Sequence, residues 1–155
     1  MKISLIDQTK YPKFTQYIRF QFPKLIKNSV VVKNAAKYGN LSFVEFKNTI
    51  TWGTSPEIVI TDLHSGQCGV PKAYGCFRHS NPGNIEIHIG VIKDFEKNSA
   101  NTIDKNKAGN AVYVAGATIL HELCHWGNHN NIPPIPEVIE MGAEFEKSTY
   151  GKVIY

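Results

Sequence analysis

Residues 119–127 read Ile-Leu-His-Glu-Leu-Cys-His-Trp-Gly, and the rest of the chain is read outward from them. His121 and His125 are four apart, so on a helix their imidazoles project from one face, a turn apart, with Glu122 slightly round the same face. Two imidazoles suit zinc, and a carboxylate beside the metal takes a proton from its water. This is the His-Glu-x-x-His pattern of zinc peptidases. A histidine pair in an amphipathic helix also reads as hydrogen-bonded core. The position of this pair, closing a long apolar helical stretch, favours a metal site.

The spacing predicts one helix over residues 108–126, with Ala115, Gly116 and Ala117 allowing close packing on a sheet and Gly127 as its C-cap. Cys124 reads as a small core residue and Trp126 as a packing anchor. His129 falls beyond the predicted helix end. Upstream, residues 84–92 (Asn-Ile-Glu-Ile-His-Ile-Gly-Val-Ile) alternate with period two and predict a strand with one buried face. Such a strand, just before the helix, is placed to be the sheet edge to which an extended peptide adds, with His88 outward, reading as a substrate contact or, as is commoner for such a residue, as simply solvated. Residues 57–62 predict a second strand, and 64–83, with four glycines and two prolines, a loop with an extended piece at Ala73-Tyr74.

Nearer the N-terminus, residues 13–22 and 24–37 read as two helical stretches broken at Pro23, with Phe14, Tyr17, Ile18 and Phe22 as core. Residues 41–52 fit a strand or a short helix. After the histidine motif come a polar, proline-rich turn at 128–136 and a helical stretch at 137–150 carrying Glu140, Glu144 and Glu146. Residues 98–107 read as a polar loop. The result is a single α+β domain over 1–155: N-terminal helices, a small mixed sheet with an edge strand before the active-site helix, and a C-terminal helix supplying the third ligand.

The 155 residues suffice for one core, and 42% hydrophobic with 19% charged residues is the composition of a globular protein. The net charge of +4 comes from scattered lysines without a basic block, which gives nucleic-acid binding no support. No segment approaches the ~20 apolar residues of a membrane span. The first ten residues lack an apolar run long enough for a signal peptide. The expectation is therefore a chain made in the cytoplasm and staying there, unless a specialised secretion system carries it or it is cut from a larger polypeptide. Cys68 and Cys76 flank the Gly/Pro-rich loop and read equally as free thiols or as a disulfide of a protein working outside the cytoplasm.

A catalytic zinc has three protein ligands and an open position, so the third ligand comes from another segment. On residue geometry alone Glu140, Glu144 and Glu146 all remain open. Residues 121–151 resemble the deuterolysin-type zinc endopeptidases (aspzincins) and the metallopeptidase domains of bacterial secreted toxins. In deuterolysins the helix motif is followed by Gly-Thr-x-x-Asp, whose Asp is the third ligand, and then by a Tyr-Gly whose tyrosine supports the oxyanion. The toxin domains run Gly-x-x-Phe-Glu and Tyr-Gly. Here Gly142-Ala-Glu-Phe-Glu146 and Tyr150-Gly151 stand in those places, with Glu for Asp and a longer acid-to-Tyr step.

The resemblance implies a zincin-like fold in which His121, His125 and Glu146 hold Zn2+. Glu122 is then the general base and Tyr150 the oxyanion donor. A thermolysin-like spacing would substitute Glu140 or, less well, Glu144. The function implied is a toxin- or effector-type zinc endopeptidase, monomeric, acting on a protein or peptide, cell-wall peptide included, and countered by a cognate immunity protein. Two rivals stand beside it: a catalytically silent binding or inhibitory domain, and a peptide-deformylase-like amidase using Cys68 or Cys76 as a ligand.

Overall fold

The structure, a computed structural model, describes residues 1–66 and 68–155. Helix α1 (Leu5–Lys10) starts at Ser4, whose hydroxyl accepts from the Asp7 amide, and α2 (Pro12–Gln16) carries its proline in the first turn, where no donor is needed. The chain then changes pitch instead of breaking at Pro23. A π-helical turn at Tyr17–Gln21 leads into a 3-10 segment at Phe22–Lys27, which keeps Phe14, Ile18 and Phe22 buried on one side. Asn28 caps α3 (Ser29–Gly39) by accepting from the Val30 and Val31 amides. Residues 41–52 are helical: α4 (Phe43–Ile50) begins with a reciprocal capping box between Ser42 and Glu45.

Four strands, β1 (Lys2–Ile3), β2 (Glu57–Thr61), β3 (Gly75–Cys76) and β4 (Asn84–His88), form a mixed sheet in the order β1-β2-β4-β3. The first three in that order are parallel, and β3 runs antiparallel to β4. Two expectations are corrected here. The Ile-rich strand is interior, because β3 pairs along its far side, so the edge nearest the histidine motif is β3. His88 is buried at 7% exposure, because its Nδ1 accepts the Leu63 amide (3.1 Å) and its ring stacks on His64. The strand also stops at His88. Ile89 opens α5 (Ile89–Lys97), whose Val91, Ile92 and Phe95 bury one helical face.

A hairpin of β5 (Ile103–Lys105) and β6 (Ala111–Tyr113) takes the place of the polar loop and of the expected first turns of the long helix. That helix, α6 (Val114–Asn130), starts later than expected and runs three residues past Gly127. Gly127 is not a C-cap: a Cβ there would overlap the Gly39 carbonyl oxygen, so its glycine lets the end of α3 lie against α6. Gly116 likewise admits the Tyr17 hydroxyl, so the small-residue stretch meets that ring and not only the sheet. Helix α7 (Met141–Tyr150) crosses α6 and α3, buries Phe145, and closes at Gly151 in the left-handed region. Among the described residues the architecture is α+β with seven α-helices, and α6 contacts α3, α5, α7, β3 and β4. Among the described residues no helix is long and apolar enough to cross a membrane.

Candidate metal centre

Leu120, Leu123 and Cys124 anchor α6 in the core, and this turns His121, Glu122 and His125 toward a cavity of about 440 Å³ between α6, α7 and β3. The imidazoles are held at both ends. His121 Nδ1 donates to Glu146 Oε1 (2.6 Å) and His125 Nδ1 to Glu137 Oε2 (2.5 Å). With both Nδ1 atoms engaged, both Nε2 atoms turn to the same oxygen, Glu140 Oε1, at 3.1 Å from His121 and 2.5 Å from His125. One donor atom each of His121, His125 and Glu140 lies within 4.8 Å of the others, which makes these three a group that could hold a metal ion.

The carboxylates behind the rings are fixed in turn. Asn128 donates to Glu137 Oε1 (2.7 Å) and to the Tyr38 carbonyl (2.8 Å), tying the His125 partner to α3. Glu146, buried on α7, accepts the Ile154 amide on its second oxygen (2.6 Å), tying the His121 partner to the segment that follows α7. Carboxylate-to-histidine contacts of this kind fix the tautomer and ring orientation of metal-ligating histidines.

Charge points the same way. Burial disfavours charging His121, but its bonds to Glu140 and Glu146 outweigh that and push its pKa up to about 10. His125 goes to about 9, with Glu137 and Glu140 overcoming burial. Glu140 is held far below the ordinary carboxyl range by the two imidazoles, against the opposing effect of burial. Burial pushes Glu122 up to about 7, a shift the imidazoles reduce. Glu122, Glu137, Glu140 and Glu146 thus surround two histidines, and no lysine or arginine lines the cavity among the described residues. This excess of negative charge, facing two Nε2 atoms aimed at one point, fits a divalent cation.

Glu122 lies under β3. A Cβ on Gly75 would come within 2.5 Å of Glu122 Oε1 and 2.8 Å of Thr118 Cγ2, so the strand backbone sits directly on the carboxylate. Cys76 is joined to Cys68 in a disulfide, the second of the two states open from the sequence, and this bridge ties the loop along the cavity wall to the edge strand.

Of the residues singled out from the sequence, His121, Glu122, His125, Glu140 and Glu146 converge here. Glu140 is not on the helix face: it is the N-cap of α7, accepting from the Ala143 amide and placing its carboxylate between the two rings. Glu144 pairs with Lys147 (2.8 Å) away from the rings. Tyr150 does not line this cavity. Its ring packs on Phe145 and faces a second cavity with Tyr17 and Tyr113. His129 stacks on His79 instead of joining the histidine pair. Glu137 was not among the candidates, although it stands between a proline-rich turn and the Glu-bearing stretch and is a fourth acid in the same run. Tyr74 and Tyr155, which face the cavity, carry no local signal.

No similarity to a curated protein or to a solved structure was found. The model of the family described as metallopeptidase toxin 3 matches residues 7–151, a span that takes in β2, β3 and β4 of the sheet, α6 and all but the last residues of the cavity wall. A site that suits a metal ion, on a chain matched almost end to end, places this protein in the metallopeptidase toxin 3 family.

Proposed function

We propose that the protein is a zincin-like, zinc-dependent endopeptidase of effector type, with His121, His125 and Glu140 as the metal ligands. The observation that carries this is the double restraint of the imidazoles: each Nδ1 on a carboxylate, each Nε2 toward Glu140. Glu146, the ligand implied by the deuterolysin-like spacing, in this reading orients His121, and Glu137 orients His125. A zinc ion at this place supplies Lewis acidity toward a water and toward the scissile carbonyl. The chain supplies the rest. Glu122, raised to about 7 and held under β3, takes the proton of the attacking water and returns it to the departing amine nitrogen. The free edge of β3 offers backbone groups to an extended substrate segment, holding its carbonyl over the histidines. Tyr150, outside the cavity, is a packing residue.

The substrate class is protein or peptide, with cell-wall peptide included. The monomeric state, export by a specialised route and a cognate immunity protein belong to the same reading. The test combines zinc stoichiometry with proteolysis of an unfolded protein substrate by native chain, Glu122→Gln and Glu140→Gln. The expected outcome is about one zinc in the native chain and in Glu122→Gln. Activity in that variant should fall about a thousandfold, within the ordinary range for a lost general base. Glu140→Gln should lose the metal. Equal proteolysis by Glu122→Gln and native chain would overturn the mechanism. A native chain that binds no zinc would leave a binding domain instead of an enzyme.

A further inference from the structure

The walls of the cavity are not uniform. Around the metal group they are ionic, but the lining also has an apolar part: Tyr74 from the approach to β3, Val70 from the disulfide-tied loop, and Val153, Ile154 and Tyr155 from the segment after α7. The Tyr74 and Tyr155 rings meet edge to face at 6.5 Å, and Tyr155 is 73% exposed although it borders the cavity. The segment carrying Tyr155 is held in place by polar anchors. The Tyr155 amide donates to Asp104 Oδ2 (3.2 Å), Lys152 pairs with Asp104 (2.8 Å), and the Ile154 amide is held by Glu146. The aromatic jaw is thus fixed relative to the histidine that Glu146 orients.

We infer that this part of the cavity is a substrate subsite for a bulky apolar or aromatic side chain next to the cleaved bond, with Tyr74 and Tyr155 determining the specificity. The inference rests on the peptidase reading and deepens it. A charged substrate side chain placed here would be desolvated against tyrosine, valine and isoleucine. An acidic one would also face Glu140 and Glu146 with no lysine or arginine among the described lining residues. A phenylalanine or leucine side chain instead leaves water for an apolar surface, and the exposed Tyr155 face is covered when it does so. Phe77 and His79, which also line the cavity, are engaged instead in a ring cluster with His129.

The experiment is digestion of a diverse peptide mixture by the zinc-loaded protein, reading the residues on both sides of every cut by mass spectrometry, for the native chain, Tyr155→Ala and Tyr74→Ala. One position flanking the cut should be enriched about tenfold in Phe, Tyr, Leu, Ile and Met over Asp, Glu, Lys and Arg. Both variants should flatten that preference, raise KM for an apolar peptide about tenfold and keep full zinc content, a pattern that mere misfolding would not give. Cuts without side-chain preference, or with a charged preference, would overturn the inference while leaving the peptidase reading intact. If no peptide is cut, the peptidase reading fails. The subsite is then judged by fluorescence anisotropy of a labelled Phe-containing peptide and its Asp counterpart on the zinc-loaded chain. Weaker binding of the Asp peptide supports the subsite, and equal binding overturns it.

Discussion

His121 and His125 carry pKa values of about 10 and 9 in the metal-free protein, so near neutrality both rings hold a second proton against four carboxylates. A metal takes the Nε2 lone pairs, so those protons must leave when it binds. Zinc affinity should therefore climb steeply with pH up to 9 to 10, and calorimetry near neutrality in buffers of different ionisation enthalpy should report release of about two protons per zinc. No proton release would mean that the rings are neutral before binding and that the carboxylates do not hold them as described. The same shifts govern stability without metal. A folded pKa above the ordinary value of 6.5 contributes stability that is complete below that value and is lost as pH rises through 9 to 10. The metal-free chain should accordingly lose thermal stability between pH 7 and 10. The zinc-loaded chain, with its rings already deprotonated, should change little over that window. The residues behind the rings also make a graded series. Removing Glu140 should abolish zinc binding, whereas Glu137→Gln, Glu146→Gln or Asn128→Ala should weaken it about ten- to a hundredfold, measured by competition with a chelator. A total loss in Glu146→Gln with binding kept in Glu140→Gln would instead make Glu146 the ligand.

At the level of elements, β3 has two residues, yet it borders the Glu122 carboxylate, and two devices hold it there: pairing with β4 and the Cys68–Cys76 bridge. Gly75→Ala would push a methyl into Glu122 and Thr118, since neither the helix nor the strand backbone can yield cheaply. It should cost about 1–3 kcal/mol of stability by overpacking and a larger fraction of activity than of zinc binding, read by denaturation beside a peptidase assay. Reduction of the disulfide should open residues 68–75 to limited proteolysis in the native chain and change nothing in Cys68→Ser/Cys76→Ser, which separates the bridge from side effects of the reductant. These elements also mark how far the sequence could be read. The alternation at Ile85 and Ile87 locates β4, but whether a strand is interior or at an edge depends on its partner, and Gly75–Cys76 is too short and glycine-bearing to show a period. The strand pattern at Ile89 runs directly into the helical spacing of Val91, Ile92 and Phe95, so the boundary with α5 and the helix itself were not separable by local periodicity. The His-Glu-x-x-His face was legible because it needs only the pitch of a helix. The role of Glu140 was not, because it depends on α7 beginning one residue later, at Met141, and on a turn that returns the chain to α6.

For the whole molecule, besides the hydrogen bonds of Thr149 to Asn34 and of Ser148 to Tyr38 on α3, α7 has two attachments that differ in kind. One is apolar: Phe145 is fully buried, and Gly142 brings the helix so near α6 that a Cβ would overlap the His121 ring. The other is ionic, through Glu140 and Glu146 on the imidazoles, with Glu137 bringing in the stretch before the helix. A zinc ion at the proposed site would act through the second only, joining α6 to the start of α7 and to the run between them. Anything that binds the folded state alone stabilises it by mass action, about 4 kcal/mol when free ligand is a thousandfold above its dissociation constant. For a chain of this size that amounts to roughly 10 °C in Tm. Chelation should therefore lower Tm by about that amount in the native chain and by little in Glu140→Gln. Phe145→Ala should lose about 3–5 kcal/mol from the cavity it leaves, with metal or without it, provided the variant still folds. Because the two attachments lie on one short helix, their energies need not add. If α7 is a rigid bridge, loss of Phe145 will also weaken zinc binding, since the N-cap carrying Glu140 moves with the helix. If zinc affinity in Phe145→Ala equals that of the native chain, the ligand is held by its own turn and α7 is only its neighbour. Measuring zinc affinity in that one variant decides whether the fold places Glu140, the proposed third ligand, through the core or through the loop that leads to it.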